Sequence, residues 1–155
     1  MKEIKILLIF SFLLSGLILN AQTKEDSLAI EKACRDYVEG WAEGDMERVA
    51  NGISQELVKR SIAKDKEGVC FTTSMSPSHL KFATKRNKED GVRVKDLEPD
   101  KDFKLHVIIY DICGDYATAK ASNTKYGFFD YCQLAKFNDE WKIFNVMWGW
   151  LPPNN

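Results

Sequence analysis

The stretch from Tyr126 to Trp150 constrains the fold more than any other part of the chain. It holds two runs rich in aromatic and β-branched residues on either side of Asn138-Asp139-Glu140, a short turn of the kind that closes a hairpin. Side chains alternate across a strand, so Phe129, Tyr131, Gln133, Ala135 and Phe137 share one face and Asp130, Cys132, Leu134 and Lys136 the other. In the second run Trp141, Ile143, Asn145 and Met147 oppose Lys142, Phe144, Val146 and Trp148. Few of these residues are stable in water, so both faces of the hairpin are expected to be largely covered. Such a hairpin is either the wall of a cavity or a piece of plain core.

The first residues read as a targeting signal rather than as fold. A short basic start, Met1 to Lys5, precedes Ile6 to Leu19, which is apolar apart from two serines and a glycine, and Ala21 offers a small residue for cleavage before Gln22. At about 14 residues the run is short of the roughly 20 that a membrane span requires. Residues 1–21 are therefore expected to be a signal peptide, and residues 22–155 a single exported domain, periplasmic or secreted, with no membrane contact after cleavage. The net charge of −1, with acids and bases interleaved, gives no electrostatic case for nucleic acid or an anionic membrane. The four cysteines, Cys34, Cys70, Cys113 and Cys132, contain no C-x-x-C spacing, which argues against zinc. They read as buried free thiols, with a Cys113–Cys132 bridge between neighbouring strands as the alternative.

Taken in order, Thr23 to Asp26 offers a capping box, and Ile30, Ala33, Cys34, Tyr37, Val38 and Trp41 recur at helical spacing behind it. Gly44 stops this helix and Asp45 caps a short second one carrying Met46, Val49, Ala50 and Ile53. Residues 56–62 predict a short edge strand or extended arm, and 69–73 another strand. Ser76-Pro77 starts a third helix with Leu80, Phe82 and Ala83. The charged segment 87–102, with Gly91 and Pro99, predicts a mobile loop. Strands follow at 105–112 and 116–125, the latter with Ala117, Ala119 and Ala121 on one face, and then the closing hairpin. The class is α+β: a curved, mostly antiparallel sheet with three N-terminal helices on its concave face.

Two groups of residues carry a resemblance to a known family. One is Gly40-Trp41-x-x-Gly44-Asp45 after an amphipathic helix. The other is the closing pattern of Asp130, Tyr131, Leu134, Ala135, Lys136, Asn138, Trp141, Lys142, Ile143, Asn145, Val146 and Trp148. Together they resemble the nuclear-transport-factor-like superfamily and, within it, the "Putative lumazine-binding" family, kin of the SnoaL-like and ketosteroid-isomerase-like groups. The resemblance implies a cystatin-like cone with a pocket at one end, and pairing through the sheets into a homodimer. The superfamily includes isomerases, dehydratases, cyclases and proteins that only bind. Where the family pattern leads one to expect His-Pro before Glu56-Leu57, this chain has Ser54-Gln55, so no role for that histidine carries over.

Asp130 is a candidate general base, with Tyr131 as oxyanion donor, for abstracting a proton next to a carbonyl. Neighbouring strand residues point to opposite faces, however, which separates the two unless a bulge intervenes. His106 is a candidate partner on a strand; neither it nor His79 belongs to a metal-ligand spacing, and no metal or cofactor is expected. Arg60 could hold an anionic ligand group at a pocket mouth, or Lys59 and Arg60 could both be solvated charges. Tyr37 and Trp41, one helical turn apart, would suit stacking on a flat heteroaromatic, or core packing. Asn145 is a candidate for a ligand's hydrogen-bonding edge. Three readings follow: an exported binder of a small aromatic or heteroaromatic ligand, a SnoaL-like enzyme using Asp130 with Tyr37 or His106, and an interaction module whose cone is filled by side chains. A filled cone removes the first two. A cavity containing a carboxylate within reach of a tyrosine favours the enzyme, and aromatic walls without one favour binding alone.

Overall fold

Helix α1 (residues 24–43) buries Ile30, Ala33, Cys34, Tyr37, Val38 and Ala42, a stripe with the helical period. The computed structural model describes residues 24–89 and 102–152; the proposed signal peptide and most of the charged segment 87–102 lie outside them. α1 stops at Gly44, whose φ is +72°, with Gly44 N donating to Trp41 O at 3.2 Å and Asp45 N to Gly40 O at 2.8 Å. These two bonds form a Schellman motif, in which a glycine takes the left-handed position. Asp45 then caps α2 (Met46–Gly52) by accepting from Arg48 N at 3.0 Å. Arg48 also fastens α2 to α1 through Asp36 at 3.4 Å, Glu43 at 2.8 Å, and Glu39.

Strand β1 (Ile53–Lys64) corrects the expectation of a short edge strand or arm. It runs for 12 residues inside the sheet, antiparallel to β2 (Cys70–Met75) and parallel to the last strand, β6 (Glu140–Trp150). Its partner β6 is nearly ninety positions away, Ile53 pairing with Ile143 and Val58 with Asn145, and that pairing has no local signature. After α3 (Pro77–Glu89), capped by Ser76 Oγ accepting from His79 N at 3.2 Å, come β3 (Leu105–Cys113), β4 (Tyr116–Asn123) and β5 (Phe128–Phe137). The six strands lie in the order β2-β1-β6-β5-β4-β3, and the fold is α+β as expected. α3 is held against α1 by Asn87 Nδ2 donating to Trp41 O at 2.7 Å.

The closing hairpin turns at Asn138 and Asp139, with φ of 50° and 66°, a type I′ turn whose twist matches that of the strands. On β5 the alternation holds from Phe128 to Leu134, with Phe128, Asp130, Cys132 and Leu134 buried. On β6 it breaks: the register shifts opposite Gln133/Leu134, so Trp141 and Ile143 face inward but the next inward residues are Val146 and Trp148. Asn145 and Met147 therefore leave the face of Trp141, and Met147 is 57% exposed. The expectation that both faces of the hairpin are largely covered is corrected too, because Tyr131 and Met147 are exposed on its outer face. Among the cysteines, Cys34 and Cys132 are buried free thiols, while Cys70 and Cys113 are free but exposed. No Cys113–Cys132 bridge forms, since β4 lies between β3 and β5.

At Gly52 the end of α2 lies close against α1: an added Cβ would lie 2.4 Å from Ala33 O and 2.8 Å from Tyr37 N. These are backbone atoms that cannot rotate away, so the helix-propensity gain of alanine is overridden. Gly52→Ala is expected to destabilise the fold by about 1–3 kcal/mol in urea unfolding. An unchanged midpoint would mean that α1 and α2 do not meet this closely.

Candidate functional site

Between α1, α3 and the inner face of β1, β5 and β6 lies a cavity of about 360 Å³, so the cone is not filled by its own side chains. Its walls are apolar: Val38, Met75, Leu80 and Ala83 on one side and Trp41, Tyr126, Phe128 and Trp148 on the other. Trp41 stands edge-on to Tyr126 at 5.8 Å and to Phe128 at 5.4 Å, both at 88°. Such edge-to-face contacts hold rings in fixed orientations. Trp150, 67% exposed, also lines the cavity.

Three polar side chains interrupt the aromatic lining. Asp130, between Phe128 and Cys132 on the inward face of β5, is 0% exposed. Lys59 reaches it from β1, with Nζ 2.8 Å from Oδ1, and also donates to Tyr37 Oη. The Lys59 side chain is 12% exposed. Its ammonium lies 5.2 Å from the ring centres of Tyr37 and Trp148 and 5.9 Å from that of Phe128. An ion pair out of water loses much of its gain to desolvation. The faces of Trp148 and Phe128 return part of that loss, up to about 2 kcal/mol per desolvated contact, while Tyr37 meets the cation through its hydroxyl.

Burial, and then the negative charge of Asp130, push the Tyr37 phenol well above its ordinary range, so it stays protonated. The contact with Cys34, and then burial, push the Cys132 thiol up, which removes it as a nucleophile. One atom of the group is left over. Asp130 Oδ2 is buried and has no hydrogen-bond partner.

Of the residues singled out from sequence, Tyr37, Trp41 and Asp130 meet at this cavity. The others lie elsewhere. Tyr131 is on the outer face, exposed, opposite Met147 and Lys120. Arg60 is also outside, donating to Asn145 Oδ1 at 3.1 Å, while Asn145 Nδ2 donates to Gln133 Oε1 at 2.8 Å. His106 is exposed on β3 opposite Ser122, and His79 is exposed at the start of α3. No cluster that could hold a metal ion occurs among the described residues, and none of their helices is long and apolar enough to cross a membrane. The residue that sequence reasoning passed over is Lys59. The signal was present in the period-2 rule: Leu57 is an inward residue, so Lys59 two positions on must point the same way and Arg60 the other.

Solved structures share this architecture. An NTF2-like protein of unknown function from Shewanella baltica OS155 superimposes with a TM-score of 0.59 at 17% identity, covering 83% of this chain and 95% of that one. A protein of unknown function with a cystatin-like fold from Nostoc punctiforme PCC 73102 gives 0.55 at 15% identity, covering 83% and 92%. A putative aromatic ring hydroxylase from Novosphingobium aromaticivorans gives 0.53 at 13% identity, covering 83% and 91%. At these identities the likeness is one of fold. No curated protein sequence matches the chain. The model of the "Putative lumazine-binding" family matches residues 25–149, from the first turns of α1 to the end of β6, and the chain belongs to that family.

Proposed function

We propose that the protein is an exported small-molecule-binding protein whose pocket takes a flat heteroaromatic ligand. The observation that carries this reading is a cavity of about 360 Å³ with aromatic walls and a single buried ion pair. That volume lies within the range of about 300–1,000 Å³ usual for ligand sites, which are mostly apolar with a few placed polar groups. The family description adds a pteridine-type ring system as the first ligand to try. Export rests on the apolar run and small cleavage residue at the N-terminus.

One observation favours a second reading. Asp130 and Tyr37 converge in the cavity, as a proton-abstracting enzyme would require. Against it, Asp130 Oδ1 is already engaged by the ammonium of Lys59, which neutralises the charge a base would use. Binding is the reading that needs no rearrangement of this pair.

The outer face supports a homodimer, the second copy covering it. Ile108, Lys120, Tyr131, Met147 and Arg60 follow one another in register across five strands, a row of three exposed apolar groups and two cations. Protein recovered from outside the cytoplasm is expected to begin at Gln22 by intact mass and to sediment as a dimer. Met147→Lys should shift it to monomer. A native monomer would remove the pairing, and an intact N-terminus would remove the cleavage.

Lumazine is expected to quench tryptophan fluorescence and, at about 100 times its Kd, to stabilise the protein by about 2.7 kcal/mol in thermal melts. A flat response to lumazine and related flat heteroaromatics would overturn the binding reading. Lys59→Met alone leaves a buried carboxylate uncompensated and should cost about 3–5 kcal/mol, whereas Lys59→Met with Asp130→Leu should recover most of that loss. The double variant should fold and fail to bind. Full binding by it would place the ligand elsewhere.

A further inference from the structure

The polar floor of the cavity holds more hydrogen-bonding capacity than the protein itself uses. Asp130 Oδ2 is buried and unpartnered, although a buried acceptor left unsatisfied costs about 1–3 kcal/mol and folded proteins seldom tolerate one. Beside it the Lys59 ammonium has three donors, and Asp130 Oδ1 and Tyr37 Oη account for two. An acceptor wanting a donor thus stands next to a donor wanting an acceptor, on two residues that line the cavity, with Oδ2 buried at its floor.

We infer that the floor reads an uncharged cyclic-amide edge of the ligand, Asp130 Oδ2 accepting its ring N–H and Lys59 donating to the adjacent carbonyl. This rests on the heteroaromatic-binding reading and narrows it to rings bearing a lactam or imide. Charge decides against the alternatives. An anionic group meeting Lys59 would lie against the Asp130 carboxylate, and a cationic group meeting Asp130 would lie against the Lys59 ammonium, in a site that excludes the water needed for screening. A neutral edge with donor and acceptor on neighbouring atoms satisfies both groups. A cyclic amide also keeps that edge in the plane of a ring suited to the walls of Trp41, Phe128 and Trp148.

The test is isothermal titration of the native protein with two matched pairs of compounds. One pair is lumazine and its dimethyl derivative with both ring N–H groups blocked; the other is quinolone and N-methylquinolone. A quinolone methylated on a ring carbon controls for bulk. Each N–H parent that binds is expected to do so at least about tenfold more tightly than its N-methyl partner, as for sites built around a donor on the ligand. The carbon-methyl isomer should stay within a few-fold of its parent. In Asp130→Asn the ratio of parent to N-methyl affinity should collapse toward one, a readout that partial loss of folded protein does not move. Equal affinities within each pair would overturn the inference and leave the binding reading standing, as would a ratio unchanged in Asp130→Asn. A tenfold gap for the quinolones with silence from lumazine would uphold the inference and remove pteridines as the ligand. Silence from every compound would remove both readings.

Discussion

The buried pair of Lys59 and Asp130 is the interaction on which the arrangement of the rest depends. It joins β1 to β5 across the intervening β6, and through Tyr37 it reaches α1, so three separately folded parts of the chain must be in place for it to form. Its net contribution to stability is small, because desolvation offsets most of the attraction. Its contribution to uniqueness is larger. A slip of β1 by one residue would turn Lys59 to the outer face and Arg60 to the inner one, leaving Asp130 charged, buried and alone. Parallel pairing of β1 with β6 is short and interrupted between Ile53 and Val58, so it needs such a pin.

The same sheet presents two different chemistries because of simple alternation. Inward from β5 come Phe128, Asp130, Cys132 and Leu134; outward come Phe129, Tyr131 and Gln133. The outward side arranges its polar groups in a surface row, Arg60 to Asn145 to Gln133, and stacks Lys120 over Phe129 and Tyr131 at 5.4 and 5.7 Å. In the single chain those contacts are exposed and individually weak. The inward side has one cation and one anion among aromatic rings, where each polar contact weighs more.

Periodic features were legible in the chain, and features set by distant contact were not. Ile30, Ala33, Cys34, Tyr37 and Val38 of α1, the Gly44 stop, the Asp45 cap and the Asn138-Asp139 turn follow from local chemistry and stand where local chemistry puts them, while Trp41 is only partly buried. The inward direction of Asp130 follows from alternation alone. Asn145 was misplaced because a register shift on β6 leaves no mark in composition: Ile143 to Val146 reads the same with or without it. Arg60, singled out as the cation at a pocket mouth, points outward instead, and the direction of Leu57 fixes Lys59 as the one of the two that points inward. Depth of burial at Lys59 could not be read at all, since it depends on Trp148 closing over it from the other end of the chain.

That closure also bears on what the site does. For Asp130 to act as a base, its proton must come from the substrate while Lys59 keeps its own, or the pair must first part inside a cavity walled by Tyr37, Phe128 and Trp148. Separating them there parts two largely buried charges among aromatic rings, which costs energy that the intact pair does not. A ligand that adds hydrogen bonds to the free Oδ2 and the remaining ammonium donor asks for no charge to move. It completes the pair rather than breaking it, and the protonated Tyr37 keeps its hydrogen bond with Lys59. On the proposed binding, the ligand supplies the last two hydrogen bonds of a pair that stays intact.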